Sequence, residues 1–184
     1  MIKITKIFFA TFLLIGLSFF NGCDELESFE INVPIEYEFT VYGPATESSD
    51  TVKFCLNEFE AWRDNRDDIE KIQFVRAAYW TDTCVQADIG GRIAISLLKD
   101  DDVGTVLVDE ITPVISPADY YSGYEIVLDS DDIEDLNTYL TLLLNNPELE
   151  DCFIGIGGIT DVTGTLDSLK GRVEFVLAAE VKPE

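Results

Sequence analysis

The alternation of apolar and polar residues is the clearest pattern in the chain, and it is best developed in residues 31–41. Every second position there is apolar: Ile31, Val33, Ile35, Tyr37, Phe39 and Val41. A period of two predicts a strand that buries one face against a core. Pro34 stands between these positions and has no amide hydrogen for a neighbouring strand, so we expect this strand at the edge of its sheet.

The segment 171–181 repeats the alternation near the other end of the chain, with apolar residues at Val173, Phe175, Leu177, Ala179 and Val181. Shorter apolar runs between the two segments predict six further strands: 51–56, 72–81, 92–98, 104–108, 124–128 and 152–159. The polar run at 99–104 predicts a hairpin turn. In the run at 155–160, the glycines predict a bulge or a close approach of another segment of backbone.

A helical pattern is found over about 131–146, where the apolar residues are Ile133, Leu136, Leu140, Leu143 and Leu144. This spacing predicts one amphipathic helix. Asp131 is the expected N-terminal cap, with Glu134 three residues later, and the helix should end before Pro147. A second, short helix is predicted over 58–64, with Asn57 as its cap.

These elements predict a mainly β protein. About eight strands with one helix as a crossover indicate an antiparallel β-sandwich, loosely immunoglobulin-like in outline. The spacing of cysteine and tryptophan that marks true antibody domains is not evident. We find no internal repeat or linker, so residues 31–184 are predicted to form a single domain.

The first 22 residues have a different character. Lys3 and Lys6 precede residues 7–20, a run of fourteen residues without a charge. A transmembrane helix needs about 20 apolar residues. Fourteen is instead typical of the apolar part of a signal peptide, which has about 7–15.

The apolar run ends in Phe20-Asn21-Gly22-Cys23, which resembles the lipobox of bacterial lipoproteins. The resemblance implies that the Cys23 sulfur receives a diacylglycerol, that cleavage removes residues 1–22, and that the new α-amino group is acylated. Residues 23–30 would then be the lipidated cysteine with a short acidic tether. Two alternatives remain: an ordinary secretory signal with Cys23 merely nearby, and an uncleaved short anchor.

The resemblance also bears on location within a bacterial cell envelope. Asp24 directly after the cysteine resembles an inner-membrane retention signal of some Gram-negative bacteria. The acidic stretch 24–27 resembles a surface-export signal of other groups. We favour the outer membrane, on its periplasmic or its surface face, over the inner membrane.

The charge of the chain excludes one class of partner. Residues 1–22 hold two of the 12 basic residues and none of the 36 acidic ones, so the mature chain has a net charge of −26. Nucleic-acid binding needs clusters of Lys and Arg, so we predict no nucleic-acid partner. Binding to anionic lipid headgroups is also disfavoured, and membrane attachment would depend on the acyl chains of Cys23.

An exported protein is in a compartment where disulfides persist. Besides Cys23 the chain has Cys55, Cys84 and Cys152, which allow one bridge in any of three pairings. We favour Cys55–Cys84, because these two flank neighbouring segments, and keep Cys152 as the alternative partner. The three can also be small core residues without a bridge.

Histidine is absent from the sequence, which excludes Ser-His-Asp and Cys-His catalysis and histidine-ligated zinc. The acidic residues at 129–135 do not fit a calcium-binding EF-hand, because Ile133 and Glu134 stand where an oxygen ligand and a glycine belong. We interpret them as the acidic start of the predicted helix. We predict no metal, no cofactor and no enzymatic activity; a glycosidase using two carboxylates is the remaining catalytic alternative.

Two classes of function fit these observations. The first is a non-catalytic, lipid-anchored envelope protein with a structural or partner-binding role. The second is a surface module that binds glycan or mediates adhesion, with or without calcium: Tyr120, Tyr121 and Tyr124 lie near Gly and Pro in one loop, and exposed aromatic rings stack on sugars. The three tyrosines can equally pack back over the end of the sandwich.

Overall fold

The computed structural model describes residues 28–43, 47–84, 90–101, 103–113, 123–164 and 166–182. Within these residues the chain forms eight strands: β1 Phe29–Tyr42, β2 Ser48–Cys55, β3 Ile69–Cys84, β4 Gly90–Lys99, β5 Val106–Pro113, β6 Tyr124–Ile126, β7 Cys152–Thr163 and β8 Ser168–Val181. The helices are α1 Glu60–Arg63 and α2 Ser130–Asn145. Each predicted strand overlaps an observed one, because alternation follows directly from one buried face.

The strands form two four-stranded antiparallel sheets, so the predicted β-sandwich is confirmed. The first sheet has the order β1-β8-β3-β6 and the second sheet β2-β7-β4-β5. The pairs β1–β8, β2–β7, β3–β6 and β4–β5 show that the first half of the chain folds back on the second half. This is the arrangement of a jelly roll. It replaces the comparison with an immunoglobulin domain, whose sheets have a different strand order.

The predicted edge position of Pro34 is confirmed, because β1 is the outermost strand of the first sheet. The amide of Thr40 donates to the Asp50 carboxylate at 2.8 Å, which shows that even-numbered amides of β1 point away from β8. Pro34 belongs to that even-numbered series, so its missing amide hydrogen breaks no bond within the sheet. It also removes a free donor from an exposed edge.

The core between the sheets contains stacked aromatic rings. Tyr37 of the first sheet stacks on Phe54 at 5.6 Å, and Phe54 stacks on Phe153 at 5.7 Å. The Tyr37 hydroxyl reaches across the core and donates to the carbonyl oxygen of Ile156 at 3.2 Å. This ring lies where a side chain at 155 would be: a Cβ on Gly155 would be 2.8 Å from it. The space at Gly155 is therefore filled by an aromatic side chain, and not by the backbone segment that the sequence predicted.

Helix α2 confirms the predicted crossover helix but not its cap. Asp129 is the cap, and its side chain accepts hydrogen bonds from the amides of Asp131 and Asp132, each at 2.9 Å. The prediction of Asp131 was wrong because Asp129 is the last residue with an extended backbone, at ψ 174°.

The position of α2 compensates for the short β6. Strand β6 has three residues and pairs only with Ala77–Tyr79 of β3, so the start of β3 pairs with β8 on one side and has no strand on the other among the described residues. Asn137 of α2 covers that edge, since its side-chain oxygen accepts a hydrogen bond from the Phe74 amide at 2.7 Å. The helix thus closes an edge that would otherwise be open to other strands.

The short helix α1 forms where predicted, but Asn57 does not cap it. The N-terminal cap position is Phe59, without a side-chain hydrogen bond, and a 3₁₀ turn precedes it. Trp62 of α1 is fully buried and its indole nitrogen donates to the Asp151 carboxylate at 2.9 Å. Arg66 lies 3.8 Å from the same carboxylate. Asp151, which is 3% exposed, therefore attaches α1 to the start of β7.

A disulfide joins Cys55 to Cys152, which corrects the predicted pairing of Cys55 with Cys84. The two bonded cysteines are opposite one another in the register of β2 and β7. Cys84 lies instead at the end of β3 in the first sheet, opposite Leu169. Sequence proximity was misleading here, because the fold pairs strands that are far apart in the chain.

Candidate binding surface

The outer face of the first sheet is a network of ion pairs across strands. The Arg172 guanidinium of β8 lies 3.3 Å from Glu36 of β1 and 3.7 Å from Asp82 of β3, and stacks over the Trp80 ring at 4.7 Å. Other pairs on this face join Lys170 to Glu38, and Arg76 to Glu174. Such a face is suited to water.

The outer face of the second sheet is different. In β7 the core-facing positions are Phe153, Gly155 and Gly157, so Ile154 and Ile156 point outward. The register brings aliphatic residues of β4 and β5 beside them. We call this surface the apolar face and define it by five residues: Ala94, Leu98, Val106, Ile154 and Ile156.

The five residues lie in three neighbouring rows across the sheet. One row contains Ile154 between Lys53 and Leu98, with Val106 beside Leu98. The next row contains, in strand order, Thr51, Ile156, Ser96 and Asp109, and the third contains Ser49, Gly158 and Ala94. Within the described side chains of these rows, charge is confined to the outer strands β2 and β5.

The two charged residues at the edges of these rows already have partners. Lys53 forms ion pairs with Asp100 and, at 3.8 Å, with Glu150. The Ser96 hydroxyl donates to the Asp109 carboxylate at 2.7 Å. The central part of the face therefore presents mainly methyl and methylene groups, with Lys53 and its two carboxylate partners on one side and Asp109 on the other.

The turn after β4 extends the apolar surface with Val103, which is 86% exposed. Asp101 organises this turn, because its carboxylate accepts from the Thr105 amide at 3.0 Å and the Thr105 hydroxyl at 2.9 Å. These hydrogen bonds lower the pKa of Asp101. Val103 is thereby held in solvent near the Leu98 end of the apolar face.

A groove of about 350 Å³ lies beside this turn, lined by Lys99, Asp100, Asp101, Tyr139, Leu142, Leu149 and Glu150. The Lys99 ammonium stands 4.9 Å from the centre of the Tyr139 ring. Burial raises the pKa of Tyr139, and the negative charges of Asp101 and other carboxylates add to the effect. The tyrosine hydroxyl thus remains protonated at neutral pH.

Three potential metal ligands meet near this groove: oxygen atoms of Asp100 and Glu150 and the sulfur of Cys152 lie within 4.8 Å of one another. They do not fit a metal site. The Cys152 sulfur is part of the disulfide and cannot become a thiolate, and the Lys53 ammonium already pairs with both carboxylates.

The acidic residues at the start of α2 stabilise the helix N-terminus, as the sequence indicated. Asp129 caps it, and carboxylates there complement the partial positive charge of the helix N-terminus. Burial raises the pKa of both Glu110 and Asp132, and the neighbouring carboxylates, Asp129 among them, raise both further. The carboxylates of this cluster therefore repel one another at neutral pH.

Of the three tyrosines predicted to stack on sugars, only Tyr124 lies within the described residues. It pairs with Tyr79 at the start of β6 and is partly buried against the core. Tyr120, Tyr121 and the predicted lipidation site Cys23 lie outside the described residues.

Sequence reasoning missed the apolar face. Its signal is the run of aliphatic and glycine residues in β7, which predicts a strand but does not distinguish its two faces. In the described part of the chain, no helix has the length and hydropathy needed to cross a bilayer.

Comparisons with known proteins give no family. No family model matches the chain, and no curated protein matches it significantly. Among solved structures, the decameric BFDV capsid protein is 12% identical with a TM-score of 0.39, covering 83% of this chain and 99% of that one. Turnip yellow mosaic virus gives 8% identity and a TM-score of 0.31, covering 85% and 96%. These likenesses are too distant to bear on function, and the fold is established by the strand order itself.

Proposed function

We propose that this protein is a lipid-anchored, non-catalytic component of a bacterial cell envelope, and that its domain binds a protein partner through the apolar face. The observation that carries this is the row of aliphatic side chains on the outside of an antiparallel sheet. The solvent side of such a sheet is normally polar. An exposed apolar patch bordered by polar residues is typical of a protein interaction site.

The lipobox-like sequence supports the anchor. Strand β1 begins at Phe29, six residues after Cys23, so the tether spans at most about 20 Å. The domain end that contains the start of β1 would therefore lie next to the membrane. Helix α1 and the Cys55–Cys152 disulfide belong to the same end, because β2 ends there and β7 starts there.

Replacement of the lipidation site tests the anchor. Cys23→Ala is expected to release the protein from the membrane fraction, and the mature wild type is expected to carry acyl mass on its N-terminal cysteine. If the variant still sediments with membranes and mass spectrometry finds no acyl group on the wild type, the anchor is wrong.

Photo-crosslinking in cells tests the binding surface. A photoreactive residue at position 156 is expected to form a protein adduct, whereas one at position 38, on the outer face of the first sheet, is the matched control. Equal adduct yields at the two positions would contradict a partner-binding role for the apolar face.

A further inference from the structure

We propose that the apolar face joins two copies of this chain into a two-fold dimer whose axis runs parallel to the strands of the second sheet. This inference rests on the proposed function, since it names the partner of the same surface. It follows from the order of side chains in the rows of the face and from the position of the tether.

The row that contains Ile154 and Leu98 is self-complementary about such an axis. An axis between β7 and β4 exchanges these two strands between copies, and also exchanges β2 with β5. Ile154 of one copy then lies opposite Leu98 of the second copy, and the reverse contact is identical. Two apolar side chains thus meet twice in one row, as an isologous interface requires.

The register also sets which residues meet at the edges of the face. With the axis parallel to the strands, Lys53 of one copy lies opposite Val106 of the other, and Thr51 lies opposite Asp109. An axis across the strands would instead place β2 opposite β2 and β5 opposite β5.

The position of the tether is compatible with an axis parallel to the strands. A rotation about a line parallel to the strands keeps the starts of β1 of both copies at the same end of the dimer. Both Cys23 anchors can then enter one membrane. The axis across the strands would send the two tethers in opposite directions.

The size of the face predicts a weak dimer in solution. Four strands about 4.8 Å apart and three rows about 7 Å apart cover roughly 400 Å² in each copy. A standard interface buries about 800 Å² per partner. Anchoring two copies in one membrane raises their effective concentration, so association should be much stronger on a bilayer than in dilute solution.

Self-association also has a distinctive dependence on salt. Each mature copy has a net charge of −26, so the two copies repel one another over long range. Added salt screens this repulsion. The dimer should therefore strengthen with ionic strength, whereas binding of a basic partner would weaken.

Cysteine cross-linking of the full lipidated protein in neutral phosphatidylcholine vesicles tests the dimer. Ser96→Cys places a thiol beside the axis, and Thr40→Cys on the outer face of the first sheet is the control, both with Cys84→Ser to remove that thiol. A short bis-maleimide is expected to give a dimer band with Ser96→Cys only, at higher yield in about 0.5 M than in about 0.05 M salt.

Paired charge substitutions test the predicted contact between Ile154 and Leu98. Ile154→Lys and Leu98→Glu, each in the Ser96→Cys background, should reduce cross-linking by about tenfold or more. A mixture of the two variants should recover it, because lysine in one copy then meets glutamate in the other. Recovery also shows that both variants are folded.

Three results would overturn the dimer: equal cross-linking at positions 96 and 40, no effect of either charge substitution, or no recovery in the mixture. If position 156 in cells captures a different protein while the vesicles contain only monomer, the dimer is wrong and the proposed binding function stands. If position 156 captures nothing, both are wrong.

Discussion

The outer faces of the two sheets have the same backbone geometry and opposite chemistry. On the first sheet, Arg172 connects Glu36 and Asp82 across three strands. On the second sheet the corresponding central positions are held by Ile154, Ile156 and other small or aliphatic residues. A chain with 36 acidic residues has kept one broad surface almost free of them. This difference indicates that the first face is adapted to water and the second to burial.

The largest effect on stability is expected from removing the Cys55–Cys152 disulfide, which joins two strands of the second sheet. The Cys55–Cys152 disulfide closes a loop of 97 residues, so it limits the conformations of the unfolded chain. Replacing both cysteines with serine should lower the free energy of unfolding by about 2–4 kcal/mol, measured by urea denaturation. Adding a reducing agent should destabilise the wild type by a similar amount and leave the double variant unchanged; a reductant effect on the variant would contradict this.

The next largest loss of stability is expected on the core-facing side of β7, and comparing it with the outward side tests which side is which. A Cβ at position 157 would be 2.1 Å from the Phe39 ring, so Gly157→Val should overpack the core and cost about 3 kcal/mol. The control Ile156→Thr, on the apolar face, should change the free energy of unfolding of the monomer by about 0.5 kcal/mol or less. Equal losses in thermal or urea denaturation would show that the two faces have been assigned incorrectly.

A smaller effect is expected on the charged face. Arg172→Ala removes two ion pairs and the contact with Trp80, all partly exposed, so the loss should be about 1 kcal/mol. The loss should shrink in about 1 M salt, because exposed ion pairs are screened. A loss that does not change with salt would indicate that the side chain acts by packing alone.

The smallest effect concerns pH. Burial and the nearby carboxylates raise the pKa of Glu110, so folding favours its protonated form. The stability contributed by that proton is present below the ordinary pKa and is lost as pH rises through the raised one. Glu110→Gln should therefore stabilise the protein at pH 7 by a few tenths of a kcal/mol, and this gain should vanish near pH 4. Urea denaturation at both pH values measures it, and a gain that grows in acid would contradict it.

The sequence predicted the strands and the sandwich because a strand that buries one face has apolar residues at every second position. It did not predict the strand order, which depends on contacts between distant segments such as β1 and β8. The disulfide shows the consequence: Cys84 is nearer to Cys55 in sequence, but β3 takes it to the other end of the other sheet.

The apolar face was harder to predict for a related reason. Strand β7 has glycine at the inner positions 155 and 157, where rings of the first sheet fill the space. Its alternation is therefore hidden, and outward-facing Ile154 and Ile156 look like core residues in the sequence. Only the packing of Tyr37 and Phe39 against these glycines shows which side of β7 faces the core and which faces outward.

The rate of thiol labelling in cells tests most directly whether the apolar face is covered. A membrane-permeable maleimide would be applied to Ser96→Cys and Thr40→Cys, both with Cys84→Ser, in intact cells and in dilute purified protein. We predict that Ser96→Cys is labelled much more slowly in cells than in the purified protein, while Thr40→Cys is labelled at the same rate in both. Equal rates for Ser96→Cys in the two settings would mean that the apolar face is open to solvent in the envelope, and would contradict its role as a binding surface.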